Sequence, residues 1–427
     1  MISEWVPADI RRSYHPAKPI SIAPPVTLAC GCGFRYRGHV SDSRRIGVPR
    51  LRIEQRRWTS TDGWTPIAGE GAADAQLVLV FGGGAALGDP ARGDEIRAAF
   101  PTARIVGCST AGEVAGTEVL DDAIVATALR FEQTTIRTAL EALPAAADSH
   151  RVGERLTRAL LGEGLRHILV IAEGVQINGS ELLAGMRSVL PDGVTVTGGL
   201  AGDAARFEKT CVCFDGVGYD HHVAAIGFYG DRFVVGHGSM GGWDPFGPER
   251  RITRSAGNVL YELDGGSALA LYKEYLGPHA ADLPASGLLF PLDLILDDGT
   301  RLVRTILGVD EATGSLTFAG DVPEGARAQL MKANFDRLVD GAQGAADGAH
   351  AALGRTPPAL AVLISCVGRK LVLGQRIEEE VEAVRDVFGP TVPLTGFYSY
   401  GEISPSGVTT RCELHNQTMT ITTFDER

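Results

Sequence analysis

The chain has 427 residues, of which 44% are hydrophobic and 22% are charged, a composition typical of a packed protein with two or three domains. Its net charge of −12 argues against nucleic-acid binding, because phosphate recognition needs a basic surface. No apolar run is long enough to span a bilayer and no export signal opens the chain, so we expect a cytoplasmic protein without a membrane segment.

The charge is unevenly distributed along the chain. Residues 1–57 hold eleven Lys/Arg and four Asp/Glu, a net charge of +7, which leaves −19 for the remainder. Prolines and charges without periodicity predict a basic, partly disordered arm over residues 1–50. This arm is either a solvated tail that docks on its own acidic body or a handle for an acidic partner surface.

Three segments share one pattern of strand, helix, strand and a glycine-bounded turn that ends in a carboxylate. Their strands are rich in Val, Ile and Leu, as in parallel sheets that helices cover. The pattern predicts an α/β fold of mixed sheets covered by helices, built from repeated strand–helix–strand–turn units. The predicted strand, helix, strand and turn cover 77–81, 92–100, 105–106 and 107–113; then 167–171, 179–190, 194–197 and 198–203; then 360–365, 377–388, 391–395 and 396–402.

Further elements flank these repeats. Apolar spacing predicts helices at 152–160 and 335–342, and strands follow the three turns at 123–131, 223–236 and 412–424. A proline-rich break at 243–249 divides the chain into a domain with two repeats, residues 51–248, and a domain with one repeat, residues 249–427. The second domain also holds a predicted helix at 268–276 and a hairpin that turns at 297–299.

The turn Gly107–Glu113 can be interpreted in several ways. Its glycine spacing is similar to the start of a phosphate-binding loop, but Glu113 stands where that loop has lysine and would repel a phosphate. Cys108 and Ser109 follow a buried strand as a nucleophile would, which makes a cysteine or serine hydrolase or transferase the alternative function. A third interpretation is a purely structural turn, whose carboxylate binds free backbone amides.

The residues around these turns resemble the FIST family. Gly107–Glu113 is similar to its N-terminal half, whereas 258–265, 396–403 and 413–420 are similar to its C-terminal half, so the resemblance covers about residues 75 to 424. It implies a sensory, small-ligand-binding protein of signal transduction, not an enzyme, that modulates a partner such as a histidine kinase or a cyclic-di-GMP enzyme. The ligand that it implies is an amino acid or, in one branch, haem that senses nitric oxide.

The candidate ligand-binding residues lie in the turns and in the last strand, because ligands of open α/β sheets bind beyond the carboxyl ends of the strands. Arg304 and Arg369 are added as partners for a ligand carboxylate or a haem propionate. The remaining candidates are Cys108, Ser109, Thr110, Glu113, Asp203, Tyr398, Ser399, Tyr400, Glu402, His415 and Asn416.

Haem binding would need an axial ligand from the protein. His415 is the first candidate for the haem iron because it lies within the stretch that resembles FIST proteins, and it is otherwise a core or surface histidine. The chain has no Cys-x-x-Cys-His motif, so haem would bind non-covalently. The other candidate ligands are His221, His222, His237, Cys108 and Cys366.

Overall fold

The computed structural model describes residues 51–69, 71–405 and 411–427, so the predicted arm over residues 1–50 lies outside the described residues. Three units with the same order of strands follow one another in the chain. Unit 1 consists of β1 (Leu51–Thr59), β2 (Gly63–Ala68), β3 (Leu77–Gly82), α1 (Gly84–Leu87), α2 (Pro90–Ala99), β4 (Arg104–Ser109), β5 (Glu113–Ala115), β6 (Glu118–Leu120) and β7 (Ile124–Phe131).

Unit 2 repeats this order of strands except that a helix stands where unit 1 has β2. Asn178 begins the helix after the second strand of unit 2 by accepting a hydrogen bond from the Glu181 amide (3.0 Å), as a helix cap does. The unit consists of β8 (Thr135–Ala142), α3 (Ser149–Leu160), β9 (Leu165–Ala172), α4 (Gly179–Arg187), β10 (Thr195–Leu200), β11 (Val212–Phe214), β12 (Val217–Tyr219) and β13 (His222–Tyr229).

An additional sheet is inserted into unit 3 after its first strand, β14 (Phe233–Met240). We call it the inserted sheet. Its first strand, β15, runs through the predicted break at 243–249, with a register shift between Phe246 and Arg250. The inserted sheet consists of β15 (Asp244–Ala256), β16 (Val259–Leu263), β17 (Gly266–Ser267), α5 (Ala268–Leu276), β18 (Leu292–Ile295), β19 (Arg301–Arg304), β20 (Ile306–Asp310), β21 (Ser315–Phe318) and β22 (Arg327–Lys332).

Unit 3 then resumes with the longest helix of the described residues. Its apolar face, which includes Leu338, Ala342 and Ala346, is buried, as the spacing of these residues predicts. The rest of the unit consists of α6 (Phe335–Ala352), β23 (Leu360–Cys366), α7 (Val367–Leu373), α8 (Ile377–Phe388), β24 (Leu394–Ser399), β25 (Gly401–Pro405), β26 (Cys412–His415) and β27 (Met419–Glu426).

Each unit contributes a parallel pair of strands to one mixed sheet: β3 with β4, β9 with β10, and β23 with β24. The same glycine position occurs in each pair, at Gly107, Gly198 and Gly396. A Cβ there would lie 1.6, 1.8 and 1.7 Å from a carbonyl oxygen of the neighbouring strand. Only glycine permits this close approach, which makes the three turns structurally equivalent.

The three units exchange hairpins in a cyclic order. The hairpin β5–β6 of unit 1 pairs with β24 of unit 3, β25–β26 of unit 3 pairs with β10 of unit 2, and β11–β12 of unit 2 pairs with β4 of unit 1. The three sheets therefore run β12-β11-β4-β3-β7-β1-β2, β26-β25-β10-β9-β13-β8 and β14-β27-β23-β24-β5-β6. No sheet is complete without strands from a second unit.

The inner faces of the three sheets meet in one apolar core. Phe81 and Phe397 approach to 4.7 Å between ring centroids, and Phe228 lies 4.8 Å from Phe233 and 5.0 Å from Phe424. Helices α2, α3, α4, α6 and α8 cover the outer faces. Rings that fill the centre this way leave the strand ends as the places where a ligand can enter.

The predicted fold class, α/β with mixed sheets covered by helices in repeated units, is confirmed. Two predicted strands differ in detail. The stretch 223–236 forms β13 and β14, and 412–424 forms β26 and β27. In both cases the chain changes sheet between the two strands, which apolar patterning alone does not indicate, because all four strands have apolar residues.

Candidate functional site

The three turns meet at one end of the apolar core. Main-chain hydrogen bonds join each turn to another, and the bonds follow the same cyclic order as the hairpins. They run from Ala111 N to Tyr398 O (2.8 Å), from Gly202 N to Ser109 O (2.9 Å) and from Tyr400 N to Leu200 O (3.2 Å). The turns therefore form one layer at this end of the core.

The turn carboxylates of units 1 and 3 make equivalent contacts. Glu113 accepts hydrogen bonds from the Thr110 hydroxyl and the Ala123 amide, and Glu402 accepts them from Ser399 Oγ (2.7 Å) and from the amide and hydroxyl of Thr418. Both side chains are fully buried, and burial raises the pKa of each to about 8. These contacts hold each turn to the start of the last strand of its unit.

Asp203, the turn carboxylate of unit 2, binds a loop. It accepts hydrogen bonds from the amides of Phe207, Glu208 and Lys209 at 2.8 to 3.0 Å and from the Tyr400 hydroxyl. Burial opposes ionisation, but these bonds, with the Lys209 amide foremost, keep the pKa of Asp203 below its usual value. The loop 203–210 is thereby fixed to unit 3.

Arg369 and Tyr398 belong to a buried cluster around Glu380. The Arg369 guanidinium donates to Glu380 at 2.7 and 3.0 Å and to two main-chain carbonyls, Tyr398 Oη donates to Glu380 at 2.8 Å, and Ser365 Oγ donates to it at 3.0 Å. The ion pair is fully buried. Sequence reasoning missed Glu380 because a glutamate in a charged helical turn, 378–380, looks like a solvated residue.

Arg304, His415 and Asn416 lie where the inserted sheet meets unit 3. Arg304 donates to the carbonyls of Asp321 (3.0 Å) and Leu414 (2.9 Å), and burial lowers its pKa to about 10. The His415 Nε2 lies 3.1 Å from the Ser404 carbonyl, and burial lowers the pKa of His415 to about 4. Asn416 donates to the His415 carbonyl (3.0 Å). These three side chains are buried and bridge secondary-structure elements.

Cys108 and Ser109 occupy different environments. Cys108 is fully buried in the apolar core, and burial raises the pKa of its thiol well above the usual value. Ser109 is also buried, but it belongs to the lining of a cleft, and its Oγ accepts a hydrogen bond from the Cys211 amide (2.9 Å). Of the two nucleophile candidates, only Ser109 lines a cleft.

One cleft, which we call cleft 1, lies beyond the carboxyl ends of β3 and β4 in unit 1. Its volume is about 690 Å³, and unit 2 closes it with the loop 203–210 and the hairpin β11–β12. Ser109 and Asp203 of the predicted residues line it. The charged residues of its lining are three cations, Arg97, Arg206 and Lys209, and three carboxylates, Asp203, Glu208 and Asp220.

A second cleft, which we call cleft 2, occupies the equivalent place beyond β9 and β10 of unit 2. Its volume is about 500 Å³, and its walls include Tyr400 of unit 3 and residues 318–321 of the inserted sheet. Phe207 stacks on Tyr400 with 4.2 Å between ring centroids and 17° between planes. Loop 203–210 separates the clefts, because Arg206 lines cleft 1 and Phe207 lines cleft 2.

The equivalent place in unit 3 is filled by a side chain. Lys370 extends from α7 across the ring of Tyr398, 5.5 Å from its centroid, and its Nζ donates to the carbonyl of Ala111 (2.8 Å) and to Asp121. A Cβ at Gly112 would lie 2.3 Å from Nζ. The repeat architecture thus gives two open clefts and one closed position.

The structure brings three of the predicted residues to the two clefts: Ser109 and Asp203 to cleft 1, and Tyr400 to both the wall of cleft 2 and the loop that separates the clefts. The other predicted residues make the buried contacts given above. The cations of cleft 1 were not predicted from the sequence. Hydrogen bonds from the loop amides to Asp203 shape the loop 203–210, and no sequence motif indicates that this shape places Arg206 and Lys209 in the lining of the cleft.

Two mycobacterial proteins are among the relatives of this chain. A protein of Mycobacterium tuberculosis is 26% identical over 331 residues, which cover 73% of this chain and 81% of that protein. A protein of Mycobacterium bovis is 27% identical over 250 residues, covering 54% and 61% of the two chains. Both are named only as uncharacterised proteins.

One solved structure covers much of the chain. The crystal structure of cyanuric acid hydrolase from A. caulinodans matches 89% of this chain and 100% of that one, with a TM-score of 0.38 and 10% identity.

Among the described residues, no helix combines the length and apolarity that crossing a membrane requires.

Two family models together match most of the chain. Residues 76–266 match the FIST N domain, and residues 268–405 match the FIST C domain. The two matches follow one another in the order that the turns at Gly107–Glu113 and 396–402 predict, and they confirm the resemblance at the level of the family. The chain is a FIST-domain protein, with a FIST N domain followed by a FIST C domain.

Proposed function

We propose that this protein is a small-ligand-binding sensor of signal transduction, that it binds a free amino acid in cleft 1, and that the bound ligand changes its action on a partner such as a histidine kinase or a cyclic-di-GMP enzyme. FIST domains are associated with signal transduction and small-ligand sensing. The amino acid, the cleft and the partner are our proposal.

The charge pattern of cleft 1 carries this proposal. A free amino acid is a zwitterion, and cleft 1 offers both signs of charge within one cavity. Arg206 and Lys209 suit the ligand carboxylate, whereas Glu208 and Asp220 suit the ammonium group. Arg206 lies 3.9 Å from Asp203 with its side chain 54% exposed, a loose pair that leaves the guanidinium able to turn towards a ligand.

The position of cleft 1 also supports ligand binding. It lies beyond the carboxyl ends of the parallel strands β3 and β4, where open α/β sheets bind their ligands. Its volume of about 690 Å³ falls within the range of small-molecule sites. Because unit 2 supplies one wall and unit 1 the other, a ligand here contacts both units and can shift their packing.

Thermal unfolding in the presence of each common amino acid tests the proposal. We expect at least one amino acid to raise the unfolding midpoint, because a ligand that binds only the folded state stabilises it. Replacing both Arg206 and Lys209 by alanine removes the partners of the ligand carboxylate, so the shift should disappear.

The matched control is Arg254→Ala. Arg254 pairs with Glu262 on the inserted sheet and has a side chain 56% exposed, close to the value for Arg206, but it lines neither cleft. This variant should keep the full shift. If no amino acid shifts the midpoint of the wild-type protein, or if the double variant responds as the wild type does, amino-acid binding in cleft 1 is contradicted.

The residues around His415 do not fit haem. The ring is 7% exposed, its Nε2 faces the Ser404 carbonyl at 3.1 Å, and His415 lines neither cleft 1 nor cleft 2. An axial ligand needs a ring nitrogen that faces a cavity large enough for the macrocycle. We therefore propose the amino acid rather than haem, and expect that haem added to the protein gives no absorption band that depends on His415.

A hydrolase or transferase at Cys108 or Ser109 is the alternative. Cys108 is fully buried in the apolar core, out of reach of a substrate. Within the part of the chain that the structure describes, the lining of cleft 1 contains Ser109 but no histidine. Lys209 pairs there with Asp220 (2.8 Å), an ion pair that raises the pKa of Lys209 and keeps it protonated. We propose a binding protein, and expect thiol- and serine-directed activity probes to label neither residue.

A further inference from the structure

Cleft 2 differs from cleft 1 in its chemistry, although both lie at equivalent strand ends. Six large apolar side chains of the described residues are substantially exposed, and three of them, Val175, Phe207 and Leu307, line cleft 2. Isolated apolar residues on a surface need no explanation, but a group of them in one concave site is typical of a ligand pocket. The apolar wall is continued by Tyr400, on which Phe207 stacks.

Among the described residues, the only charged one in the lining of cleft 2 is Asp321. Asn178 Nδ2 donates to its Oδ1 (3.2 Å), and no donor among the described residues bonds to its Oδ2. One carboxylate oxygen is therefore available to a ligand. A carboxylate beside an apolar wall binds an ammonium group through a charge-assisted hydrogen bond, and the face of an aromatic ring attracts the same group.

The charged residues behind the lining of cleft 2, Arg304 and Glu173, do not change its apolar and negatively charged character. Arg304 makes no ion pair within 4 Å with Asp321, although their opposite charges attract each other. Its guanidinium donates to the main-chain carbonyls of Val303, Asp321 and Leu414, which hold it behind the lining. Glu173, on the other side, accepts hydrogen bonds from the amides of Val175 and Gln176. None of the residues that the structure describes in the lining of cleft 2 is a cation, so a ligand carboxylate would have no charged partner among them.

From this combination we infer that cleft 2 is a second ligand site, separate from the amino-acid site of cleft 1, and that its ligand is a hydrophobic amine without a carboxylate. The apolar body of the amine lies against Phe207, Val175 and Leu307, and its ammonium group faces Asp321. This site does not depend on the proposed function, because cleft 1 uses a different lining and a different charge pattern.

Isothermal titration of the full chain with three probes that share one phenyl body tests the site. The probes are phenethylamine, which carries only the amine, 3-phenylpropionate, which carries only the carboxylate, and phenylalanine, which carries both. We expect phenethylamine to bind with a stoichiometry of one and 3-phenylpropionate not to bind. Equal or tighter binding of 3-phenylpropionate overturns the inference.

Variants locate the binding. Asp321→Asn keeps an acceptor for Asn178 but removes the charge, and should weaken phenethylamine binding by about 10-fold or more, which corresponds to about 1.4 kcal/mol. Asp220→Asn, the matched change in cleft 1, should leave phenethylamine binding unchanged. The inference is wrong if Asp321→Asn has no effect, or if Asp220→Asn weakens phenethylamine binding as much as Asp321→Asn does.

A positive charge added at an exposed position guards against a variant that simply unfolds. Gln176 lines cleft 2 and is exposed, so Gln176→Lys adds a cation there without disturbing the core. We expect this variant to lose affinity for phenethylamine and to gain affinity for 3-phenylpropionate. A variant that keeps the wild-type preference between the two probes contradicts the inference. If Asp321→Asn binds phenylalanine but the Arg206 and Lys209 double variant does not, phenylalanine binds in cleft 1. That result is consistent with a separate amine site in cleft 2.

Discussion

Glu113 and Glu402 make the stability of the protein depend on pH. Burial raises their pKa to about 8 from an ordinary value of 4.5, so the folded protein holds two protons that the unfolded chain releases. The free energy of unfolding therefore falls as pH rises from 4.5 to 8. The buried His167 and His415 act in the opposite direction, but their pKa values of about 3 and 4 confine their effect to pH below 6.5.

Between pH 6.5 and 8, Glu113→Gln should reduce this decline. In the variant, the glutamine Oε1 can accept from the Ala123 amide while its Nε2 donates to the Thr110 hydroxyl, and the side chain cannot ionise. One titrating group accounts for up to about 1.4 kcal/mol per pH unit. Chemical denaturation at three pH values measures the slope, with the exposed Glu163→Gln as the control that leaves it unchanged. A slope that Glu113→Gln does not alter would show that Glu113 is ionised in the folded protein.

The ion pair between Arg369 and Glu380 is a second contact between individual residues on which stability depends. Arg369→Met should destabilise the protein by about 3 to 5 kcal/mol, because Glu380 would stay buried without its cation. The double variant Arg369→Met with Glu380→Gln should be less destabilised than the single one, since no charge remains buried. Urea denaturation of both variants measures the difference, and a double variant as unstable as the sum of its single changes would contradict this account.

Among elements, the loop 203–210 has the most consequences, because it forms one wall of each cleft. The Tyr400 hydroxyl accepts from the amides of Asp203 and Phe207 at 3.1 Å and donates to the Asp203 carboxylate. Tyr400→Phe leaves the Asp203 amide without a partner and removes one donor to the Asp203 carboxylate, so it should lower the free energy of unfolding by about 1 to 3 kcal/mol. It should also weaken ligand binding in both clefts. Tyr261→Phe on the inserted sheet is the control, and equal effects of the two changes would argue against a special role for this loop.

Local patterns in the sequence predicted the elements well but could not predict their pairing. Helices 268–276 and 377–388 have the bounds that apolar spacing indicates, and all three turns lie at strand ends. The hairpin exchange escaped prediction because β5 and β24 are about 280 residues apart, and no local pattern specifies so distant a partner. For the same reason the sequence indicated Ser109, Asp203 and Tyr400 but not the clefts, whose walls come from different units.

At the scale of the whole molecule, the hairpin exchange makes the FIST N and FIST C domains depend on each other. The sheet of unit 3 takes β5, β6 and β14 from the FIST N domain, and the sheet of unit 2 takes β25 from the FIST C domain and β26 from the residues that follow it. Fragments 51–266 and 268–427 should therefore show no cooperative unfolding when expressed alone, and should form a folded complex when expressed together. Calorimetry checks this, and a sharp transition in either isolated fragment would contradict it.

The central claim is that a FIST-domain protein holds an amino acid where two of its three units meet. A crystal structure of the full chain, grown with the amino acid that raises its unfolding midpoint most, tests this directly. The account predicts one amino acid in cleft 1, with its carboxylate on Arg206 or Lys209 and its ammonium group on Glu208 or Asp220. An amino acid bound instead beside Arg304 and His415, or in cleft 2 against Phe207, would contradict it.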